Sequence, residues 1–203
     1  MPAAAGYDAA IMDPIGHTLF DTAIGACAIA WNARGIVGLQ LPESTPERTA
    51  ARLRRRFPDT QPETPPPAAR AAIDGIVALL DGEPIDLSGV VLDESGVPEF
   101  HRAVYAIART IAPGSTLSYG EIATRLGDPA AARAVGQALG QNPFAPIVPC
   151  HRVLAAGGAI GGFSAGGGAT TKRRMLAIEQ ARVGDAPDLF DATRAPLRSI
   201  AAS

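Results

Sequence analysis

The sequence predicts an α+β chain, with a small antiparallel sheet and helices in its first half and a mainly helical second half. Three features predict it. Residues 17–41 alternate apolar and small side chains around an Asn32-Ala33-Arg34-Gly35 turn. From Pro98 onward, apolar residues recur at helical spacing. Between these blocks Asp93-Glu94-Ser95-Gly96 breaks both patterns and reads as a domain boundary. The expected layout is a loose lead-in at 1–16, an N-terminal α/β domain at 17–95, a C-terminal domain at 98–182 and a tail at 183–203.

In the first half, Cys27, Ile29 and Trp31 alternate with alanines, and Ile36-Val37-Gly38-Leu39 follows the turn, which together make a hairpin. Thr45-Pro46-Glu47 reads as a helix start with Pro at the first helical position, and that helix runs to about Arg56. Its Arg52, Arg54, Arg55 and Arg56 form either a phosphate patch or a solvated face, and the acidity of this half favours the solvated face. The Pro-rich run 58–67 is a loop. Ile73, Ile76, Val77 and Leu80 then repeat at helical spacing up to the stop at Asp81-Gly82, and Ile85 to Leu92 reads as a weak strand.

In the second half, Phe100, Val104, Ile107 and Ile111 make one apolar stripe, so Glu99 to Ile111 is an amphipathic helix with His101 off the stripe as a surface or capping histidine. Ser118-Tyr119-Gly120-Glu121 fits a capping box, in which Ser118 and Glu121 satisfy each other's free amides. That short helix ends at Gly127. Asp128-Pro129 starts the next helix, which runs to about Gly140. Two short helices joined by a Gly-containing turn fit a helix-turn-helix. On the second of them Arg133, Gly136, Gln137 and Gly140 share one face. Each interior Gly costs about 1 kcal/mol relative to Ala. Two on one face imply close approach to that backbone, by another helix or by nucleic acid, and both readings stand. Ile147-Val148-Pro149 reads as a short apolar strand leading into Cys150.

The composition, 47% apolar and 19% charged, is that of a globular chain. No apolar run reaches the roughly 18 residues of a membrane span. Met1 to Gly6 has neither the basic region nor the apolar core of a secretory leader. Cys27 and Cys150 show no disulfide spacing and suit a reducing cytoplasm. The net charge of −2 hides a division: residues 1–100 carry 7 basic against 14 acidic residues, and residues 101–203 carry 11 against 6. A basic half hints at a polyanionic partner, although uneven surfaces are common.

Pro149-Cys150-His151-Arg152 is the most informative stretch. A free thiol is only about 3% ionised at neutral pH, and an adjacent base or positive neighbour corrects that. The alternative for Cys150 is a buried core cysteine. On an extended segment adjacent side chains point to opposite sides, so His151 is expected to reach the sulfur through backbone curvature or a water. Two Cys and three His make no recognisable metal-ligand set, and Val153 stands where a zinc deaminase would need its second Cys.

Ser118-Tyr119-Gly120, Ala132-Arg133-Ala134-Val135-Gly136, Asn142-Pro143, Pro149-Cys150-His151-Arg152-Val153 and Gly161-Gly162-Phe163-Ser164 occur in that order. With them, the chain from about Pro98 to Glu179 resembles the O6-alkylguanine-DNA alkyltransferases, also called methylated-DNA–protein-cysteine methyltransferases. More loosely, Phe20-Asp21-Thr22 and the hairpin resemble the family's N-terminal domain. The resemblance implies a ribonuclease H-like first domain and a winged-helix-like second one. It also implies a cytoplasmic, monomeric, single-use repair protein that needs no cofactor and acts on duplex DNA carrying O6-alkylguanine, with O4-alkylthymine a second candidate substrate.

The helix bearing Ala132, Arg133, Gly136 and Gln137 would enter the minor groove, with Arg133 filling the space left by the everted nucleotide. Tyr119 would help rotate the phosphate and protonate the leaving guanine. Cys150 would attack the alkyl carbon, activated through a Glu179–His151–water relay, while Asn142 ties the helix-turn-helix to the active-site turn. Val153 and Ser164 would contact guanine through their backbones, with Phe163 as a wall and Arg152 beside them. The Ala165–Thr171 loop is longer than in many members of the family. Some relatives hold zinc in the first domain, but Asn32 falls where one of its cysteines would be, so no metal is expected. The competing readings are a non-catalytic alkyl-lesion-binding protein, a Cys-His hydrolase unrelated to DNA, and a transcriptional regulator. The first of these lacks the reactive cysteine, and the last leaves that cysteine without a role.

Overall fold

The computed structural model describes residues 16–181 and the backbone of residues 198–199. The expected lead-in and tail therefore lie outside the described residues, except for Gly16, which opens the first strand, and the short pair at 198–199. Strands β1 (Gly16–Phe20), β2 (Cys27–Asn32) and β3 (Gly35–Gln40) form an antiparallel meander. Helix α1 (Pro46–Arg56) follows, then β4 (Gln61–Pro62), which adds parallel to β1 and gives the order β3-β2-β1-β4. The Pro-rich run 58–67 is thus not all loop. Helix α2 (Pro67–Leu80) leads to β5 (Ile85–Asp86), much shorter than the strand expected over 85–92. Thr45 caps α1 by accepting from the Arg48 amide, as its Thr-Pro-Glu start predicts.

The alternation in β2 has a packing reason. Cys27, Ile29 and Trp31 face a cluster with Ile73, Ile76 and Leu80 of α2, while Ala28 and Ala30 face Leu53 and Phe57 at the end of α1. Both faces are covered, so every residue of β2 is buried. The α1 side needs small residues because the Phe57 ring packs directly against the sheet there. A Cβ built on Gly38 would fall 2.3 Å from its ring. Gly38→Ala is therefore expected to destabilise the protein by about 1–3 kcal/mol through overpacking, read as a lower denaturation midpoint at unchanged m-value.

The second half is built from α3 (Glu99–Arg109), β6 (Leu117–Ser118), α4 (Tyr119–Arg125), α5 (Ala132–Gly140), β7 (Val153–Leu154) and α6 (Ala169–Ile178), with β8 (Arg198–Ser199) paired parallel to β5. The stripe on α3 holds for Val104, Ile107 and Ile111, which pack into one cluster, and fails only at its first residue. Val104, Tyr105 and Ala108 are buried, but Phe100 is 39% exposed. His101 is half-buried against the Phe100 and Tyr105 rings rather than free at the surface. The Tyr105 hydroxyl donates to the Ala138 carbonyl at 2.9 Å, locking α3 to α5. Both arms of the Ser118–Glu121 capping box form, at 3.1 and 2.6 Å. After Gly127, in the left-handed region at φ +84°, Asp128 caps a 3₁₀ turn at Pro129–Ala131, and α5 begins only at Ala132.

The proposed boundary at 93–96 is tied down rather than loose. The buried Asp93 carboxylate accepts from Asn32 at 2.6 Å and from Arg34 at 2.7 Å, and its other oxygen takes the Ser95 hydroxyl. Burial opposes its charge, but these donors hold its carboxyl well below the usual range. Asn32 thus serves the β2–β3 turn and Asp93. At the other edge, the Leu39 amide donates to the Pro143 carbonyl at 2.7 Å, bracing the segment before Cys150 against β3.

Candidate active site

Cys150, His151 and Arg152 form a 3₁₀ turn, not the end of a strand. Asn142 shapes the approach: its amide donates to the Val148 carbonyl at 2.8 Å and its oxygen accepts from Phe144 N at 2.9 Å. The tight turn sends consecutive side chains on separate errands. His151 is fully buried, and its Nε2 lies 2.9 Å from Oε1 of Glu179 at the end of α6. Arg152 grips the same carboxylate at two points, each 2.8 Å, and donates to the Ile111 carbonyl at 2.6 Å. It does not line the cavity described below. Its expected place in the substrate pocket is corrected to a buried partner of Glu179.

The charge states follow from this packing. Burial opposes ionisation of Glu179, but His151 and the two-point hold of Arg152 carry its carboxyl well below the ordinary range. A carboxylate only accepts, so Nε2 of His151 carries the hydrogen and Nδ1 the lone pair. Burial also lowers the His151 pKa, which keeps the ring neutral. Nδ1 is buried with no partner among the described residues, and is the nitrogen left to take a proton.

Burial raises the Cys150 thiol pKa, against the expectation that its neighbours would lower it. The opposing influences are hydrogen bonding from Asn142, the charge of Lys172, and the amides of Cys150 and His151. The sulfur is thus a protonated thiol at rest, surrounded by groups that favour the thiolate once a base removes its proton. Lys172 is the residue of this site that sequence reasoning misses. It is fully buried, donates to the Val153 carbonyl at 2.6 Å, and lies 5.8 Å from the Tyr119 ring centroid. Its spacing from Cys150 gives no signal; only the docking of α6 against β7 brings it in.

Tyr119 reaches the site because β6 pairs in parallel with β7, setting Leu117 opposite Val153 and Ser118 opposite Leu154. The start of α4 is thereby fixed beside the residues that follow Cys150. Tyr119 is half-buried, and burial raises its pKa, as does a negative charge on Cys150 once the thiol is ionised, so it keeps its proton.

Cys150 lies at the wall of a cavity of about 620 Å³, a size typical of small-molecule sites. Asn142, Phe163 and Ser164 share that wall. Val153 does not: it is fully buried and its carbonyl is engaged by Lys172. The first half contributes Arg52, Arg55 and Arg56 of α1. Arg52 donates to Glu43 at 2.5 Å and to the Ser164 carbonyl at 2.9 Å, and Arg56 donates to the Gln141 carbonyl at 3.2 Å. Arg52 and Arg56 are therefore not simply part of a solvated helix face, whereas Arg55 is exposed. The long loop after Ser164 is pressed onto the same half, since a Cβ on Gly166 would fall 2.4 Å from the Pro42 carbonyl oxygen.

Arg133 and Gln137 are exposed on α5, with Ala132 and Gly136 partly so. Internal packing does not account for the glycines on this face. A Cβ on Gly136 would make ordinary contact with the Tyr119 ring at 3.8 Å, and one on Gly140 would meet nothing within 4 Å. Gly136→Ala is expected to raise stability by up to about 1 kcal/mol, seen as a higher Tm.

A profile of the 6-O-methylguanine DNA methyltransferase DNA-binding domain matches residues 99–181. The Mycobacterium tuberculosis methylated-DNA–protein-cysteine methyltransferase is 39% identical over 178 residues, which is 87% of this chain and 99% of that protein. The namesake from Methanothermobacter thermautotrophicus is 40% identical over 116 residues, covering 57% of this chain and 64% of that one. Among solved structures, M. tuberculosis OGT in complex with DNA superposes with a TM-score of 0.65 at 36% identity, covering 84% of this chain and 96% of that one. The O6-methylguanine-DNA methyltransferase of Pyrococcus kodakaraensis gives 0.63 at 25% identity, covering 81% and 98%. A thiol at a cavity wall, a base held by a buried carboxylate and a glycine-bearing helix face thus occur in a chain that belongs to the methylated-DNA–protein-cysteine methyltransferase family.

Proposed function

We propose that this protein repairs DNA by transferring the alkyl group of O6-alkylguanine to its own Cys150, once per molecule. The observation that carries the reading is Cys150 facing an open cavity while His151, neutral and fixed by Glu179, holds an unpartnered Nδ1. Helix α5 docks in the minor groove, Arg133 occupies the vacated stack and the damaged base enters the cavity. Eversion costs a few kcal/mol, least for a damaged base. The thiol proton passes to Nδ1 of His151, through a water, as the sulfur attacks the alkyl carbon. The carbon–O6 bond breaks, its electron pair goes to the guanine, and Tyr119 supplies a proton that His151 finally replaces. The products are intact guanine and a thioether, and the net proton moves from sulfur to base. The thioether offers water no good leaving group, so the protein is consumed.

Domain roles follow the same reading, with residues 17–95 as a brace and 98–182 as the reacting domain. No helix among the described residues is long and apolar enough to cross a membrane. We place the protein in the cytoplasm as a monomer, where a free thiol stays reduced. The test is intact-mass analysis after incubation with excess duplex containing O6-methylguanine. The expected result is one methyl per protein, located on Cys150, with lesions repaired only up to the amount of protein. Repair beyond that stoichiometry, or repair without a mass change, would overturn the assignment.

A further inference from the structure

A docking helix needs phosphate contacts, and α5 is poorly equipped to make them. Duplex DNA carries one negative charge per about 1.7 Å of axis, and half or more of protein–DNA hydrogen bonds go to phosphate or sugar. Over Ala132–Gly140 the only cation is Arg133, which the proposed function places in the base stack rather than on the backbone. Cations for the strand must come from elsewhere.

The cavity wall shows where they come from. It runs from Gly140 and Gln141, at the C-terminal end of α5, to Arg55 and Arg56 of α1. Arg56 donates to the Gln141 carbonyl at 3.2 Å, so its guanidinium sits at the end of α5. Arg55 is exposed and makes no hydrogen bond or ion pair among the described residues. Gly140 adds no side chain between these cations and an incoming strand, and the space beside it is open. Arg52 is different, committed to Glu43 and to the Ser164 carbonyl. Arg54 belongs to a separate cavity with His17, Glu63 and Arg70.

We propose that Arg55 and Arg56 form a phosphodiester-binding site, so that the strand leaving the end of α5 is held by the first half of the chain as well as the second. The proposal rests on DNA being the partner. It makes α1 part of the DNA interface and sets the phosphate grip at the mouth of the cavity that receives the base. Arginine suits the role, because its planar fork offers donors to a phosphate even when one nitrogen already serves the Gln141 carbonyl.

The test is the salt dependence of binding to an unmodified duplex, and to the same duplex bearing O6-methylguanine on a Cys150→Ala background so that no transfer intervenes. Removing one phosphate-binding cation should lower the slope of log K against log salt by about one. Arg55→Ala/Arg56→Ala is expected to bind both duplexes roughly tenfold more weakly, by the same factor, with a slope reduced by about two. Arg54→Ala should keep the wild-type slope. A wild-type slope in the double variant would overturn the proposal, as would weakening confined to the lesion duplex, which would mean that the arginines shape the cavity instead. Methyl transfer by the wild type is read separately on Cys150. A normal transfer with an unchanged slope sinks this inference alone, and a missing transfer with a reduced slope sinks only the repair assignment.

Discussion

Cys150→Ala is expected to bind duplex DNA containing O6-methylguanine and to leave its methyl group in place, with transfer reduced to background. The sulfur is the only atom at the cavity wall that can both attack carbon and keep the product. Ser is no substitute, because a buried hydroxyl next to a neutral imidazole does not ionise enough to displace an alkyl group from oxygen. The change should cost little stability, since it removes one small side-chain atom from a cluster that includes Val148, Val153 and Phe144. A near-native Tm would therefore separate a failure of chemistry from a failure of folding. The wild-type rate should also depend on pH in a defined direction. Burial raises the Cys150 thiol and lowers the His151 ring, so the resting pair is neutral. Acidification puts a proton on Nδ1 and removes the base, while alkaline pH ionises the thiol directly. Single-turnover transfer is expected to rise with pH and to fall below the ordinary imidazole range. A flat profile would show that His151 takes no part in moving the proton.

Much of this site is legible in the sequence because its determinants are local. The capping box of Ser118 and Glu121 lies within one turn, and the shared face of Arg133, Gly136 and Gln137 follows from helical geometry alone. What the sequence hides depends on partners far along the chain. The segment before Cys150 is apolar enough to pass for a strand. It is bent because Asn142 takes the Val148 carbonyl and Leu39 takes the Pro143 carbonyl. Arg152 is expected beside the pocket, yet a 3₁₀ turn sends neighbours in different directions, and its partner lies 27 residues later. Glu179 is reached only through the family resemblance, which places Lys172 at the family's spacing without giving it a role, because both arrive when α6 docks. The net charge of the first half is a poor guide to the arginines of α1. What decides their surroundings is the packing of that half against the cavity.

Glu179→Gln carries the second large effect, because one carboxylate sets both the base and the buried charge beside it. The substitution keeps the shape but removes the negative charge that Arg152 and His151 share at 2.8–2.9 Å. Arg152 is only 6% exposed, so its guanidinium would be left largely unpaired. Breaking a buried pair of this kind costs about 3–5 kcal/mol. Gln can also donate to Nε2, which would move the imidazole hydrogen to Nδ1 and take the lone pair away from the thiol. Transfer is expected to fall about 10²-fold or more even where the variant remains folded. Stability against pH distinguishes the two causes. Glu179 is ionised in the folded protein far below its unfolded pKa of about 4.3, so its contribution is present above that value and is lost as pH falls below it. His151, with its folded pKa lowered, adds a separate loss beginning below about 6.5, its unfolded value. Urea denaturation of Glu179→Gln should therefore keep the loss near pH 6 but lack the steeper one below about pH 4.3 that the wild type shows. If both proteins lost stability in parallel over the lower window, Glu179 would not be the charge that holds this turn together.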